Sequence, residues 1–192
     1  SVGAGALGAN TTGTQNVAVG NVALGAQTTG GYNTAVGYAA GDAITTAEYN
    51  VAVGRNALGA QTTGGGNTAV GDGALFTSTT AADNTAVGLS ALYLNSTGTA
   101  NVAVGREALT ANTTASNNVA VGYNTLEANT TGGSNTAIGK DALAANTTAS
   151  SNVAIGQDAL TTNVTGAYNV AIGVDALTVS LADNNVALGY QA

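Results

Sequence analysis

The stretch Asn16-Val17-Ala18-Val19-Gly20 recurs, with small changes, along nearly the whole 192-residue chain. Its glycine returns at a constant period of seventeen, except at the last step, which is shorter by one. The glycines are Gly3, Gly20, Gly37, Gly54, Gly71, Gly88, Gly105, Gly122, Gly139, Gly156, Gly173 and Gly189. A fixed period of this length is typical of stacked copies of one small structural unit. We therefore predict a single repeat array over residues 1–192.

The consensus repeat contains two short apolar stretches of strand length, separated by a glycine turn and closed by a polar loop. It reads N-[VT]-A-V-G-x-x-A-L-x-x-N-T-T-G-x-x. So short a unit, with a glycine near its middle, cannot supply two amphipathic helices. The prediction is an all-β fold, a parallel β-solenoid of about eleven 17-residue coils. At a strand spacing of about 4.8 Å, this gives a rod roughly 50 Å long.

Aliphatic residues on both sides of the glycine turn predict a core column. Its members are expected to include Val19, Leu24, Val53, Leu58, Val104, Leu109, Ile155 and Leu160. Alternation along a strand sends Ala18 and Val19 to opposite faces, so each strand has two apolar faces. Only one of them fits inside a thin coil, and the other is predicted to face a partner. A flattened monomeric roll that buries both faces is the alternative.

One asparagine begins each repeat, and stacking would bring these amides into a ladder along the axis. They are Asn16, Asn33, Asn50, Asn67, Asn84, Asn101, Asn118, Asn135, Asn152 and Asn169. Such ladders hydrogen-bond from coil to coil and satisfy the backbone of turns. We predict that this ladder is structural and holds the corner of each coil.

The composition excludes most kinds of catalytic and metal-binding site. There is no Cys, Pro, Met, Trp or His, only 7% of residues are charged, and the net charge is -7. Thiolate nucleophiles, imidazole bases and zinc sites are therefore excluded. The three cations, Arg55, Arg106 and Lys140, are too few for a nucleic-acid groove, and an anionic membrane would repel the chain. No catalytic residue, metal or cofactor is predicted, and a glycan lyase would need a cation beside paired acids in one groove.

Acidic residues stand two places after the repeat glycine at Glu107, Asp141, Asp158 and Asp175. A calcium ion bridging the last three is one interpretation. However, the glycine-rich nonapeptide of calcium-binding β-rolls is absent, and Lys140 lies beside Asp141. A solvated turn is predicted instead.

Threonine pairs such as Thr28-Thr29 and Thr62-Thr63 close most repeats. Regular threonine files on a β-solenoid are how several ice-binding proteins meet ice, which makes an ice- or lattice-binding solenoid the alternative function. Neighbouring threonines point to opposite sides of a strand, and loop chemistry also explains them. The same loops create N-x-[ST] glycosylation patterns at Asn10, Asn95, Asn112, Asn129, Asn146 and Asn163.

Tyrosines mark the variable turns. Tyr32, Tyr49 and Tyr168 precede the ladder asparagine, whereas Tyr38 and Tyr123 follow the glycine. Aromatic rings on exposed turns offer stacking area for sugars or peptides. They are the predicted surface recognition residues, with a host-surface glycan or protein as the partner.

The stretch Asn152-Val153-Ala154-Ile155-Gly156-Gln157-Asp158-Ala159 resembles the head repeats of trimeric autotransporter adhesins of the YadA-like type. The whole array is similar to the N-T-A-[VI]-G-x-x-A-L-x-x-N-T-T-G arrays of bacteriophage tail fibres and large bacterial surface proteins. The resemblance implies a left-handed parallel β-roll, three copies of which associate along their apolar faces. The repeat of the adhesin heads is shorter than the repeat of this chain.

These observations together predict a non-enzymatic structural and adhesive fibre segment. It would form the rigid shaft of a phage tail fibre or bacterial surface appendage that supports host or surface attachment, as an excerpt of a longer fibre. Its location would be extracellular, on a virion or a cell surface. The principal partner would be the chain itself, as a homotrimer or an end-to-end filament.

Overall fold

A computed structural model describes residues 1–179 and 182–192, and in that part of the chain eleven three-residue strands form one parallel sheet in chain order. The strands are β1 (Val17–Val19), β2 (Thr34–Val36), β3 (Val51–Val53), β4 (Thr68–Val70), β5 (Thr85–Val87), β6 (Val102–Val104), β7 (Val119–Val121), β8 (Thr136–Ile138), β9 (Val153–Ile155), β10 (Val170–Ile172) and β11 (Val186–Leu188). Equivalent residues pair, so Ala18 lies opposite Ala35. The predicted all-β parallel solenoid with 17-residue spacing is confirmed, with about 10 turns.

Only one of the two apolar stretches in each repeat forms a strand. The Ala-Leu stretch lies in turns, because its leucine adopts a left-handed conformation, with φ of 50° at Leu24 and 52° at Leu58 and Leu143. The expectation of two strands in each repeat is therefore wrong. The repeat glycine is required at its position, because Gly20 has a φ of 136° and a Cβ there would collide with the carbonyl of Gly37.

The core is built from alanine and leucine. The central alanine of each strand points inward, and Ala35 and Ala103 are fully buried together with the predicted core leucines. Those leucines are Leu24, Leu58, Leu109 and Leu160.

The other half of the predicted core column is wrong. Val19 and Val104 point outward and are 40% and 36% exposed, and Val53 and Ile155 are only half-buried. The leucine of the turn already occupies the inside of this thin coil. Only the smallest side chain of the strand therefore fits opposite it at close packing.

Backbone hydrogen bonds join the coils around their whole circumference. In the turns, the amide of Leu24 donates to the carbonyl of Ala40 at 3.0 Å, and the amide of Thr28 donates to Thr45 at 2.9 Å. Such bonds run along the axis as the strand ladder does. Bending the rod must therefore strain turns and strands together.

The predicted ladder asparagines lie in one column along the sheet edge. The backbone N–H of Asn118 donates to Oδ1 of Asn101 at 3.0 Å, and the side-chain Nδ2 of Asn118 donates to the carbonyl of Gly132 at 3.0 Å. The same two bonds recur at Asn33 and Asn101. Each amide thus links one coil to the next and closes the loop that follows.

A second asparagine column runs inside the loops and coincides with the N-x-[ST] patterns. Nδ2 of Asn129 donates to Oδ1 of Asn112 at 3.1 Å and to the carbonyl of Gly132 at 3.0 Å, so both columns share that carbonyl. Full burial contradicts the glycosylation interpretation at Asn95, Asn112, Asn129, Asn146 and Asn163. Only Asn10 among the six is exposed.

One coil replaces both a core residue and a column asparagine. Gly41 stands where other coils have the core leucine, and Ile44 stands in the column that holds Asn, Gln or Ser in the other coils. A Cβ on Gly41 would lie 2.9 Å from Cδ1 of Ile44 and 3.1 Å from Cδ2 of Leu24. The fully buried Ile44 side chain therefore fills the space that the missing leucine leaves.

Candidate interaction surfaces

The outer face of the sheet is a continuous aliphatic stripe. Its main file consists of the last residue of each strand: Val19, Val36, Val53, Val70, Val87, Val104, Val121, Ile138, Ile155, Ile172 and Leu188. A parallel file of valine and threonine comes from the first residue of each strand. Neither file contains a charged residue, so this surface, hereafter the outer stripe, is uncharged over the length of the sheet and aliphatic throughout its main file.

The two threonines of each pair have different roles. The Thr130 hydroxyl donates to the carbonyl of Thr147 at 3.0 Å, and Thr28 does the same to Thr45 at 3.0 Å. The second threonine of each pair faces solvent. The exposed residues of this file are Thr12, Thr29, Thr46, Thr63, Thr80, Thr97, Thr114, Thr131, Thr148 and Thr165. One file of hydroxyls, and not a plane of two, is thus presented along the rod.

The tyrosines predicted for recognition lie at the surface but in separate groups. Tyr32 and Tyr49 stack on each other, with ring centroids 5.0 Å apart and planes 12° from parallel. Tyr123 lies under the Arg106 guanidinium, 5.7 Å from the ring centroid. Tyr38 and Tyr168 are also exposed, Tyr38 in a different turn of the repeat that contains Tyr49 and Tyr168 on a distant coil. The structure therefore does not bring the five tyrosines into one site.

Each of the three cations has a carboxylate partner. Arg55 contacts Asp72 at 2.8 Å, Arg106 contacts Glu107 at 3.1 Å, and Lys140 contacts Asp141 at 2.7 Å. The hydrogen bond that Arg55 donates to Asp72 raises the pKa of Arg55, and the one that Lys140 donates to Asp141 raises the pKa of Lys140. These surface pairs remove the positive charge that a phosphate groove would need.

The acidic column is divided among local partners. Asp141 pairs with Lys140, and Oδ2 of Asp158 accepts from Nε2 of Gln157 at 3.0 Å. In the described part of the chain, no three acidic residues are grouped as ligands for a metal ion.

The clearest concave site was not predicted from the sequence. Phe76 and Tyr93 stack with ring centroids 5.2 Å apart, beside the Arg55–Asp72 ion pair. These four residues form part of the lining of a cleft of about 180 Å³. The available signal was that Phe76, the single phenylalanine, stands one repeat length before Tyr93.

Within residues 1–179 and 182–192, no helix is long and apolar enough to cross a membrane. Comparison of the chain with known protein families, with curated proteins and with solved structures found no significant match.

Proposed function

We propose that the chain is a non-enzymatic structural and adhesive segment of an extracellular fibre, the rigid shaft of a phage tail fibre or bacterial surface appendage. The outer stripe is the observation that carries this proposal. A soluble protein rarely leaves a continuous apolar band of this length in water, and such bands mark association surfaces. Its partner is further copies of the same chain, as three left-handed rolls in one fibre, the arrangement that the adhesin resemblance implies.

The charge pattern supports a copy of the chain as the occupant. The outer stripe has no charge to pair, so an apolar surface of matching length and spacing is its complement. A stripe of roughly 50 Å by 10 Å buries on the order of 500 Å² per copy, less than the roughly 800 Å² of a standard interface. Association should therefore strengthen with every added coil, which suits a long fibre.

Light scattering over a dilution series tests the proposal. We expect the mass of three chains at high concentration. Changing Val104→Lys and Ile138→Lys places two charges on the outer stripe and should give single chains that stay folded, because both side chains point to solvent in one chain. A matched control, Thr97→Lys with Thr131→Lys, charges the exposed threonine file and should keep the assembled mass. A single-chain mass for the unmodified protein at every concentration would overturn the proposal.

The exposed threonine file favours a second candidate, an ice- or lattice-binding solenoid. Its hydroxyls follow the coil spacing of about 4.8 Å without interruption over ten coils. Thermal hysteresis separates the two functions. If the file binds ice, Thr29→Tyr with Thr63→Tyr abolishes hysteresis, whereas fibre assembly should be unaffected by that change.

A further inference from the structure

The cleft beside Phe76 and Tyr93 spans three consecutive coils. Its floor is Gly73, and Asn56 and Ser90 stand at the same position of the coils before and after. One wall carries the two aromatic rings. The opposite wall carries the ion pair of Arg55 and Asp72 together with the exposed Leu89. The cavity therefore combines aromatic, planar polar and neutral hydrogen-bonding groups.

Gly73 is needed for space and not for its backbone conformation. Its φ is 65°, but Asn56 and Ser90 take φ of 57° and 56° at the same position with full side chains. A Cβ on Gly73 would lie 3.2 Å from Cε2 of Tyr93 and 4.0 Å from Oγ of Ser90. Any side chain at Gly73 would thus enter the cleft and press on the Tyr93 ring.

The polar lining is available to a ligand. Among the described residues, neither the Asn56 amide group nor the Ser90 hydroxyl has a side-chain hydrogen-bond partner in the protein. On the opposite wall, Asp72 receives hydrogen bonds from Nε and Nη2 of Arg55 through one oxygen, Oδ2, at 3.2 and 2.8 Å. The other carboxylate oxygen of Asp72 remains able to accept a hydrogen bond from a ligand hydroxyl.

We propose that this cleft binds one neutral pyranose ring of a glycan. The C–H face of such a ring packs on aromatic side chains, and its hydroxyls suit the Asn56 amide, the Ser90 hydroxyl and the free oxygen of Asp72. A volume of about 180 Å³ suits one ring and not an extended oligosaccharide. The inference rests on the proposed adhesive role and names its ligand class.

The charge of the cleft and of the chain favours neutral sugars over acidic ones. The cation of the cleft, Arg55, is already paired with Asp72, so the two charges compensate each other. The chain as a whole carries a net charge of -7, which repels anions. A uronic or sialic acid would therefore meet no unpaired positive group in the cleft.

Saturation-transfer NMR on the full chain provides the test. The probes are the methyl pyranosides of glucose, galactose, mannose and N-acetylglucosamine, with methyl glucuronide and N-acetylneuraminic acid as acidic counterparts. We expect transfer to at least one neutral probe and none to the acidic ones. Transfer to no neutral probe, or stronger transfer to the acidic probes, would overturn the proposal.

Two variants locate the binding. Gly73→Asn installs the residue found at the equivalent position 56, fills the cleft and keeps a tolerated backbone conformation, so it should weaken binding at least about ten-fold without unfolding the rod. Tyr93→Ala removes one stacking ring and should weaken binding by a similar factor. Leu94→Ala removes the exposed side chain next to Tyr93 that does not line the cleft, and it is the matched control, with unchanged binding expected. Binding that persists in Gly73→Asn would show that the sugar lies elsewhere.

The assembly measurement separates this proposal from the fibre proposal. A protein with the mass of three chains that binds no neutral sugar would contradict the cleft and leave the fibre standing. A single-chain protein whose sugar binding is lost in Gly73→Asn would contradict the fibre and support the cleft.

Discussion

The first and second halves of the rod differ in the second asparagine column, which runs inside the loops. From Asn95 to Asn163 every coil has an asparagine in this column, and the amides of Asn112, Asn129 and Asn146 bond to the coil before at 2.8 to 3.1 Å. From residue 10 to residue 78 the column reads Asn, Gln, Ile, Gln and Ser. The second half therefore has a periodic ladder of asparagines in this column, whereas in the first half the residue type and its contacts change from coil to coil.

The irregular half shows which parts of the repeat are interchangeable. Gln61 reaches two carbonyls, those of Gly64 at 2.7 Å and Ala81 at 3.1 Å, and its Oε1 accepts from the Ser78 hydroxyl. Ile44 has no polar side-chain group and instead fills core volume beside Gly41. The repeat glycines from Gly3 to Gly173 show no such exchange, because the carbonyl of the next coil leaves no room for a Cβ. Different side chains can therefore supply the same core volume or hydrogen bonds, but no other residue type can replace glycine where two backbones lie this close.

The largest expected effect comes from breaking the Gly41–Ile44 exchange. Ile44→Asn alone leaves a cavity beside Gly41 and should lower the free energy of unfolding by about 3 kcal/mol. Gly41→Leu alone should also destabilise, by roughly 2 kcal/mol, since its side chain would collide with Ile44 and Leu24. The double variant restores the consensus coil and should return to within about 1 kcal/mol of the original.

Guanidinium unfolding followed by circular dichroism and by tyrosine fluorescence measures this cycle. Two coincident curves are needed before free energies are compared, because long repeat arrays can lose cooperativity. Additive effects of the two single changes would mean that Ile44 does not replace the missing leucine.

Removing one polar group from each half sharpens the comparison. Asn129→Ala in the periodic half loses both bonds donated by Nδ2 and removes one of the two acceptors of the Asn146 amide, so about 2 kcal/mol of stability should be lost. Ser78→Ala in the irregular half loses one bond, to Gln61, and should cost about 1 kcal/mol. Urea midpoints of the two variants provide the measurement. Equal losses would show that a ladder amide contributes no more than a local pair.

The period was sufficient to predict the parallel solenoid, because each copy must repeat the same path for its glycine to fall in register. It was not sufficient to orient the strand. Ala18 and Val19 are both apolar, so alternation separates them without saying which points inward, and the volume beside Leu24 decides it. The loop asparagines match a glycosylation pattern, yet burial beside a loop carbonyl explains them. Tyr93 contacts Phe76 only because the coils stack, so the cleft required the register as well as the sequence.

A smaller effect is expected at the threonine pairs, where one file is bonded and the next is free. Thr130→Val removes the hydroxyl that donates to Thr147 and should cost about 1 kcal/mol. Thr131→Val removes an exposed hydroxyl in the same loop and should change stability by less than about 0.5 kcal/mol. Thermal unfolding of the two variants compares neighbours that differ by one position. A greater loss for Thr131→Val would reverse the assignment of the two files.

The smallest effect concerns Asp42, in the same coil as Gly41 and Ile44. Burial raises the pKa of this carboxyl, although hydrogen bonds from its own amide and that of Ala43 act in the opposite direction. Folding therefore favours the protonated form, so the stability linked to this group is fully present at acidic pH and falls as the pH rises through the raised value. Asp42→Asn keeps a neutral group of the same shape, and it should be slightly more stable than the original at pH 7 and equal to it at pH 3. Unfolding curves at the two pH values measure the difference, and a variant that is less stable at pH 7 would mean that the ionised carboxylate, held by the two amides, is the favoured form.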